Sequence, residues 1–363
     1  MTDNLKSYAV TETNTKGRKF QEKPHPYRSD FERDRDRIIH CSAFRRLEGK
    51  SQVFTPGQDD NYRTRLTHSI EVAQIGRTIA KELQLNEALT EAICLAHDIG
   101  HSPFGHAGEK TLNNLMKSYG GFEHNKQALR LVDLLEHPYP DFMGLNLMYE
   151  TRLGLAKHHS PYDNPEDSSF AEVNCSLEGQ IADIADRIAY NCHDLEDGLR
   201  GCLIRPEQLD IEIIRQAQNR INASAIHDSY IRHTRIAKAI LDFLVSDCLN
   251  TSKNELKNAN IKNISDIYNA NKNLIVLSEA SNAQLSELEA FLLKNLYMHP
   301  TITKTSEEVK VRLTKLFNKI CNEPELMPGY FRHFIEKQGL ERAVCDYIAG
   351  MTDRYCLKLL DEM

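Results

Sequence analysis

The chain has 363 residues, 40% of them hydrophobic, with 45 basic and 52 acidic side chains and a net charge of −7. Its longest uncharged apolar runs, such as Ala92–Ala96 and Leu274–Leu277, are too short to span a membrane. The negative balance excludes a protein coated in nucleic acid, yet residues 1–50 hold 12 basic and 8 acidic groups, which leaves room for a local basic patch and weak single-stranded nucleic-acid binding.

At about 150 residues per domain the length suits two domains or one large one. The polar start Met1–Lys6 has no apolar signal core. Helical periodicity dominates from there. In 65–83, Leu66, Ile70, Ala73, Ala80 and Leu83 form one stripe and Val72, Ile75 and Ile79 another. Residues 87–99 read as a largely buried helix ending at Gly100. Further helices are predicted at 109–118, 125–136, 150–157, 177–199, 207–220, 227–249, 282–298, 305–320 and 330–361. Breaks fall at Ser102-Pro103, Gly120-Gly121, His137–Pro140, Ser160–Ser169 and Pro324–Gly329. Residues 250–273, with eight asparagines, suit a loose linker or capped short helices. No run of alternating β-branched residues is evident, so the expected fold is all-α. Nine cysteines, an odd number with no Cys-x-x-Cys pair, point to reduced thiols in a cytoplasmic protein.

The chemistry gathers in 40–200. His68 lies on the apolar stripe of its helix and so points inward; a hydrogen-bonded core histidine or a metal ligand would both fit. His97-Asp98 follows a buried apolar run, where such a pair is costly unless it is partnered or bound to metal. In helix 177–199 a stripe of Asp183, Asp186, Arg187, Tyr190 and Asp194 runs beside the apolar one; a solvated face is the plainer reading. His68, His97, Asp98 and either Asp183 or Asp186 make two imidazoles and two carboxylates, a set suited to Mg, Mn, Fe, Ni or Zn. The turn Gly100–Glu109 carries His101, His106 and Glu109. If His106 opens a helix, Glu109 lies one turn on and can orient its ring for acid–base work.

These residues resemble a known family. Arg65–Val72, His97–Glu109 and Ala185–Tyr190, with Asp34–His40, Ala43–Leu47 and Asp346–Arg354, resemble the deoxyguanosinetriphosphate triphosphohydrolase-like proteins of the HD superfamily, from about residue 8 to about 356. The resemblance implies an all-helical oligomer that cleaves a deoxynucleoside triphosphate to deoxynucleoside and inorganic triphosphate. It implies an N-terminal segment 1–60 carrying sugar-site residues, an HD metal and catalytic core at 61–200, and a helical C-terminal part at 201–363. It selects Asp186 as the fourth metal ligand with His68, His97 and Asp98. Manganese or magnesium is the first expectation, with iron, nickel, cobalt or zinc as further ones. It makes His106 the catalytic histidine with Glu109 as partner, and sets His101 and His124 at the phosphates. Arg65, Arg187, Tyr190 and Asp194 match triphosphate and sugar positions, and Gln52-Val53 the sugar 3′ side. Lys157 is a further candidate phosphate contact. The carboxy-terminal phosphate arginine of some relatives has no clear counterpart; Tyr297 and His299 lie nearby.

The expected chemistry is attack at the α-phosphorus. Arg65, Arg187 and Lys157 would neutralise the substrate, and His106 would protonate the leaving 5′ oxygen or activate water. The alternative reading is another HD phosphohydrolase acting on nucleoside monophosphates or on cyclic or alarmone nucleotides.

Overall fold

The computed structural model describes residues 5–54, 59–158 and 170–362. The expected break at Ser160–Ser169 lies outside them, as does His159. The described residues form α-helices and short turns of 3₁₀ and π helix, with two isolated β-bridges in place of any sheet. The all-α expectation is met.

In chain order the helices are α1 (Asp30–His40), α2 (Ser42–Arg46), α3 (Arg65–Glu82), α4 (Glu87–Ala96), α5 (Gly105–Leu115), α6 (His124–Arg130), α7 (Tyr149–Ala156) and α8 (Leu177–Arg200). Then follow α9 (Glu212–Arg220), α10 (Ser229–Asn258), α11 (Ile264–Tyr268), α12 (Glu279–Leu292), α13 (Pro300–Asn322), α14 (Gly329–Arg332), α15 (Ile335–Gln338), α16 (Leu340–Ala349) and α17 (Asp353–Asp361).

Helices α3, α4 and α8 open on short polar side chains, which satisfy amide groups that a helix leaves unpaired. Thr64 accepts from the Thr67 amide to open α3, Asn86 from Leu89 to open α4, and Ser176 from Gly179 to open α8. Helix α8 is the central pillar: 21 of its 24 residues are buried. A solvated stripe at Asp186, Tyr190 and Asp194 is thereby overturned, because all three lie inside. Helices α3, α4, α7, α10 and α12 pack against α8, and α9 packs on α10 and α12. Helix α13 runs against α5 and α16, so the C-terminal helices close over the turn that precedes α5.

Several expected bounds shift. Helix α10 continues to Asn258, through the first part of the asparagine-rich stretch, and α11 is a short helix capped by Asn263. The single helix expected at 330–361 is four pieces, α14 to α17, broken at His333-Phe334, at Gly339 with φ +88°, and between Gly350 and Thr352. Helices α1 and α2 were not expected. Seven of the nine cysteines are buried, Cys321 is half-buried and Cys202 is exposed, and all are free thiols. No helix among the described residues is long and apolar enough to cross a membrane.

Candidate active site

Three helices bring the first cluster together. His68 sits one turn into α3, His97 directly follows α4, and Asp186 lies midway along α8. The His68 Nε2 atom is 2.9 Å from Asp186 Oδ1, and His97 Nε2 is 3.5 Å from the same oxygen. Ligand atoms of these three residues all lie within 4.8 Å of one another. His97 Nδ1 donates to the Cys94 carbonyl at 2.6 Å, which turns the Nε2 lone pair toward the carboxylates. That Nε2 is buried and makes no hydrogen bond, and Asp98 Oδ1 stands 3.6 Å away. A buried nitrogen lone pair aimed at two carboxylates is a poor hydrogen-bonding arrangement and a good cation site, so these residues fit a divalent ion. Burial would raise the Asp186 carboxyl, but His97, His158 and His68 overcome it and hold it well below the usual range.

Asp98 faces two ways. Its Oδ2 accepts from Arg65 at 2.9 Å, and its Oδ1 lies 3.1 Å from His101 Nε2. It therefore joins the first cluster to a second one, of His101, Glu109 and His124. The rings of His101 and His124 stack at 3.8 Å. Glu109 Oε1 accepts from both the backbone and the ring Nδ1 of His124 at 2.9 Å, while its Oε2 is 3.8 Å from His101 and 3.8 Å from His106. Glu109 thus serves three histidines rather than His106 alone. Burial opposes its charge, yet His124 and His106 hold it ionised, well below the ordinary carboxylate range. His101 is pushed the other way by burial and the Arg65 charge, and stays neutral. The His106 side chain is exposed.

The turn before α5 has no slack. Phe104 and Gly105 adopt left-handed backbone at φ +62° and +55°. A Cβ on Gly108 would fall 1.9 Å from the Pro103 carbonyl. Both clusters open into one cavity of about 1180 Å³. Its walls include Gln52, Val53, Arg65, His68, Asp98, His101, His106, Glu109, His124, Asp186, Tyr190 and Asp194. His97, Lys157 and Arg187 are not part of that lining. Lys157 caps the end of α7. Arg187 makes a two-pronged ion pair with Glu289 of α12, at 2.8 and 3.0 Å, and the same carboxylate accepts from Tyr190 at 2.9 Å. The Tyr297 hydroxyl donates to Asp194, whose carboxyl burial pushes up to about 7. His299 caps α13.

Two site histidines escaped the sequence reading. His158 Nδ1 lies 2.7 Å from Asp183 and its Nε2 3.6 Å from Asp186, so Asp183 serves His158 while Asp186 serves the cluster. His193 Nδ1 lies 3.2 Å from His68 Nδ1. Its spacing of seven from Asp186 places it on the same helix face, a signal the stripe analysis could have used.

Comparison with known proteins follows this layout. Residues 65–191 match the HD domain family, and residues 275–362 match the phosphohydrolase-associated domain. The chain is 45% identical to a deoxyguanosinetriphosphate triphosphohydrolase-like protein of Geobacter metallireducens, over 97% of this chain and 93% of the relative. It is 44% identical to the protein so named from Nitrosomonas europaea, over 99% and 97%. The one from Leptospira interrogans serovar copenhageni is 41% identical over 100% and 97%.

Proposed function

The chain belongs to the deoxyguanosinetriphosphate triphosphohydrolase-like proteins of the HD superfamily, and from that premise we propose that it hydrolyses deoxynucleoside triphosphates to deoxynucleoside and inorganic triphosphate. The observation that carries the reading is the single cavity: a His–His–Asp cluster, a second His–Glu–His cluster, Arg65 and the Gln52-Val53 segment all meet in it. It has room for a whole nucleotide.

His68, His97, Asp98 and Asp186 would hold a divalent ion, manganese or magnesium first. When bound, the ion supplies positive charge beside the reacting phosphorus and makes water a better nucleophile at neutral pH. Arg65, already anchored on Asp98, offers its remaining donors to phosphate oxygens. Neutral His101 gives its one N–H to Asp98, and with His124, held against Glu109, it lines the phosphate end of the cavity. His106 reaches the cavity from the rigid turn and delivers a proton to the 5′ oxygen that leaves. Gln52, Val53, Tyr190 and Asp194 line the sugar end. For Arg187 to reach phosphate it must release Glu289; Lys157 would act from outside the cavity wall.

Product analysis tests this. Each of the four deoxynucleotides, with manganese or magnesium, should yield deoxynucleoside and intact triphosphate in equal amounts. Labelled water should place ¹⁸O in the triphosphate. Orthophosphate plus diphosphate, or pyrophosphate plus monophosphate, as primary products would reject it in favour of a general HD phosphohydrolase.

A further inference from the structure

The late segment Asp346–Arg354 contributes nothing to the two clusters, yet one of its carboxylates is built into the site's frame. Asp353 opens α17 and is 2% exposed. An acidic residue in a first turn ordinarily faces the amides of its own helix. Asp353 instead spans two distant parts of the chain. Its Oδ2 accepts from the Ser51 amide at 3.1 Å and from the Ser51 hydroxyl, 302 residues away. Its Oδ1 accepts from the Phe104 amide at 2.8 Å, 249 residues away.

Both partners carry site residues on their backbones. Ser51 precedes Gln52 and Val53, which line the cavity. Phe104 is the left-handed residue that launches α5 and with it His106 and Glu109. The two segments also touch: a Cβ on Gly105 would lie 3.4 Å from the Gln52 carbonyl and 3.4 Å from the Arg65 guanidinium. Lys50, fully buried, ties the same three regions once more, donating to the carbonyls of His101 and, at 2.9 Å, of Ala349.

We propose that Asp353 is a positioning residue that fixes, through Ser51 and Phe104, the spacing between the Gln52-Val53 wall of the cavity and the turn carrying His101 and His106. The C-terminal helices therefore set the sugar wall and the acid–base wall together. A non-glycine residue in left-handed backbone holds only where its surroundings over-determine it, and the Phe104 amide bond to Asp353 is one such restraint.

The kinetic arm of the test rests on the proposed triphosphohydrolase reading; the exchange arm does not. Site-resolved hydrogen exchange on the full chain with manganese should show the Ser51 and Phe104 amides exchanging about tenfold faster or more in Asp353→Ala, with protection in α3 and α4 kept. Manganese affinity should stay within about twofold, while turnover of the deoxynucleotide and the preference for deoxy over ribo sugar each fall about tenfold or more. Asp353→Asn keeps an oxygen for Phe104 but sets an amide group against the Ser51 N–H, so it should free Ser51 more than Phe104. Ser51→Ala, which leaves both backbone bonds in place, should lower sugar preference less than Asp353→Ala. Unchanged exchange at both amides overturns the proposal. So does an equal loss for both sugars accompanied by loss of manganese in all three variants. If no nucleoside triphosphate is hydrolysed, the proposed function fails, and the exchange of these two amides still decides the role of Asp353.

Discussion

His193 Nδ1 lies 3.2 Å from His68 Nδ1, and His193 Nε2 lies 3.4 Å from Glu71 Oε2. Two facing nitrogens bond only if one carries the proton. Burial and the charges of His68 and Arg63 keep His193 neutral, so its one N–H goes to Glu71 and its Nδ1 accepts from His68. His68 thus spends its Nδ1 proton on His193; its Nε2, which bonds Asp186 at 2.9 Å, would give up its own proton to a bound ion and offer it the lone pair. The order Glu71, His193, His68 is the carboxylate–histidine support that metal ligands commonly have. His193→Phe should weaken manganese binding by about 10–100-fold while leaving the helices intact. Calorimetric titration of the metal checks it; an unchanged affinity would mean the tautomer of His68 is set elsewhere.

Asp186 and Asp183 lie on one helix three residues apart and separate cleanly by partner. Asp186→Ala should abolish metal binding and activity together. Asp183→Ala should leave the cluster its ligands and cost activity only through His158. Metal content after dialysis, read beside turnover, distinguishes them; normal content in Asp186→Ala would put the ligand at the wrong carboxylate.

His106 is exposed and lies outside the His–His–Asp cluster. His106→Ala should keep metal and nucleotide binding while kcat falls by about 10² or more. Stopped-flow binding of a non-hydrolysable analogue alongside steady-state rates tests this. A collapse of metal content would make His106 a ligand rather than an acid.

Burial, with the charges of Arg46 and Arg65 beside it, pushes the Lys50 ammonium down to about 7, against weaker pull from Asp353 and Cys356. An unfolded lysine titrates near about 10.4. Between about pH 7 and pH 10 the unfolded chain therefore holds a proton that the folded chain has released, and folded stability from this group grows as pH rises. Relative to Lys50→Met, the wild type should gain on the order of 2–4 kcal/mol across that window. Urea unfolding of both proteins at three pH values measures the difference. A flat difference would show that the two carbonyls keep Lys50 charged throughout.

What the sequence made legible followed apolar spacing. Helices α3, α4 and α8 show it plainly, and they carry His68, His97 and Asp186. Helix α1 did not show it because Asp34 interrupts its inward face between Phe31 and Ile38. Asp34 is fully buried there, accepting from Arg18, the Met148 amide and Thr151. Pairings between distant segments left no local trace either. Glu109 was read as the partner of His106, its neighbour by one turn, but its closest bonds run to His124, fifteen residues on. Arg187 was read as a free phosphate ligand, since nothing near it in sequence announces Glu289. His158 was passed over because its partners, Asp183 and Asp186, come from another helix. Motif spacing reports which residues share a face; it is silent on what the opposite face brings.

The distribution of thiols has a practical consequence. All seven buried cysteines belong to the hydrophobic core, where burial pushes thiols such as Cys41 and Cys248 up to about 12 and leaves them inert to alkylation. Cys202 stands exposed directly after Gly201, a residue of the cavity wall. A maleimide fluorophore supplied at one equivalent would therefore attach first at the rim of the cavity, with no cysteine removed by mutagenesis. The native chain comes with its own anchoring point for an optical reporter of ligand entry.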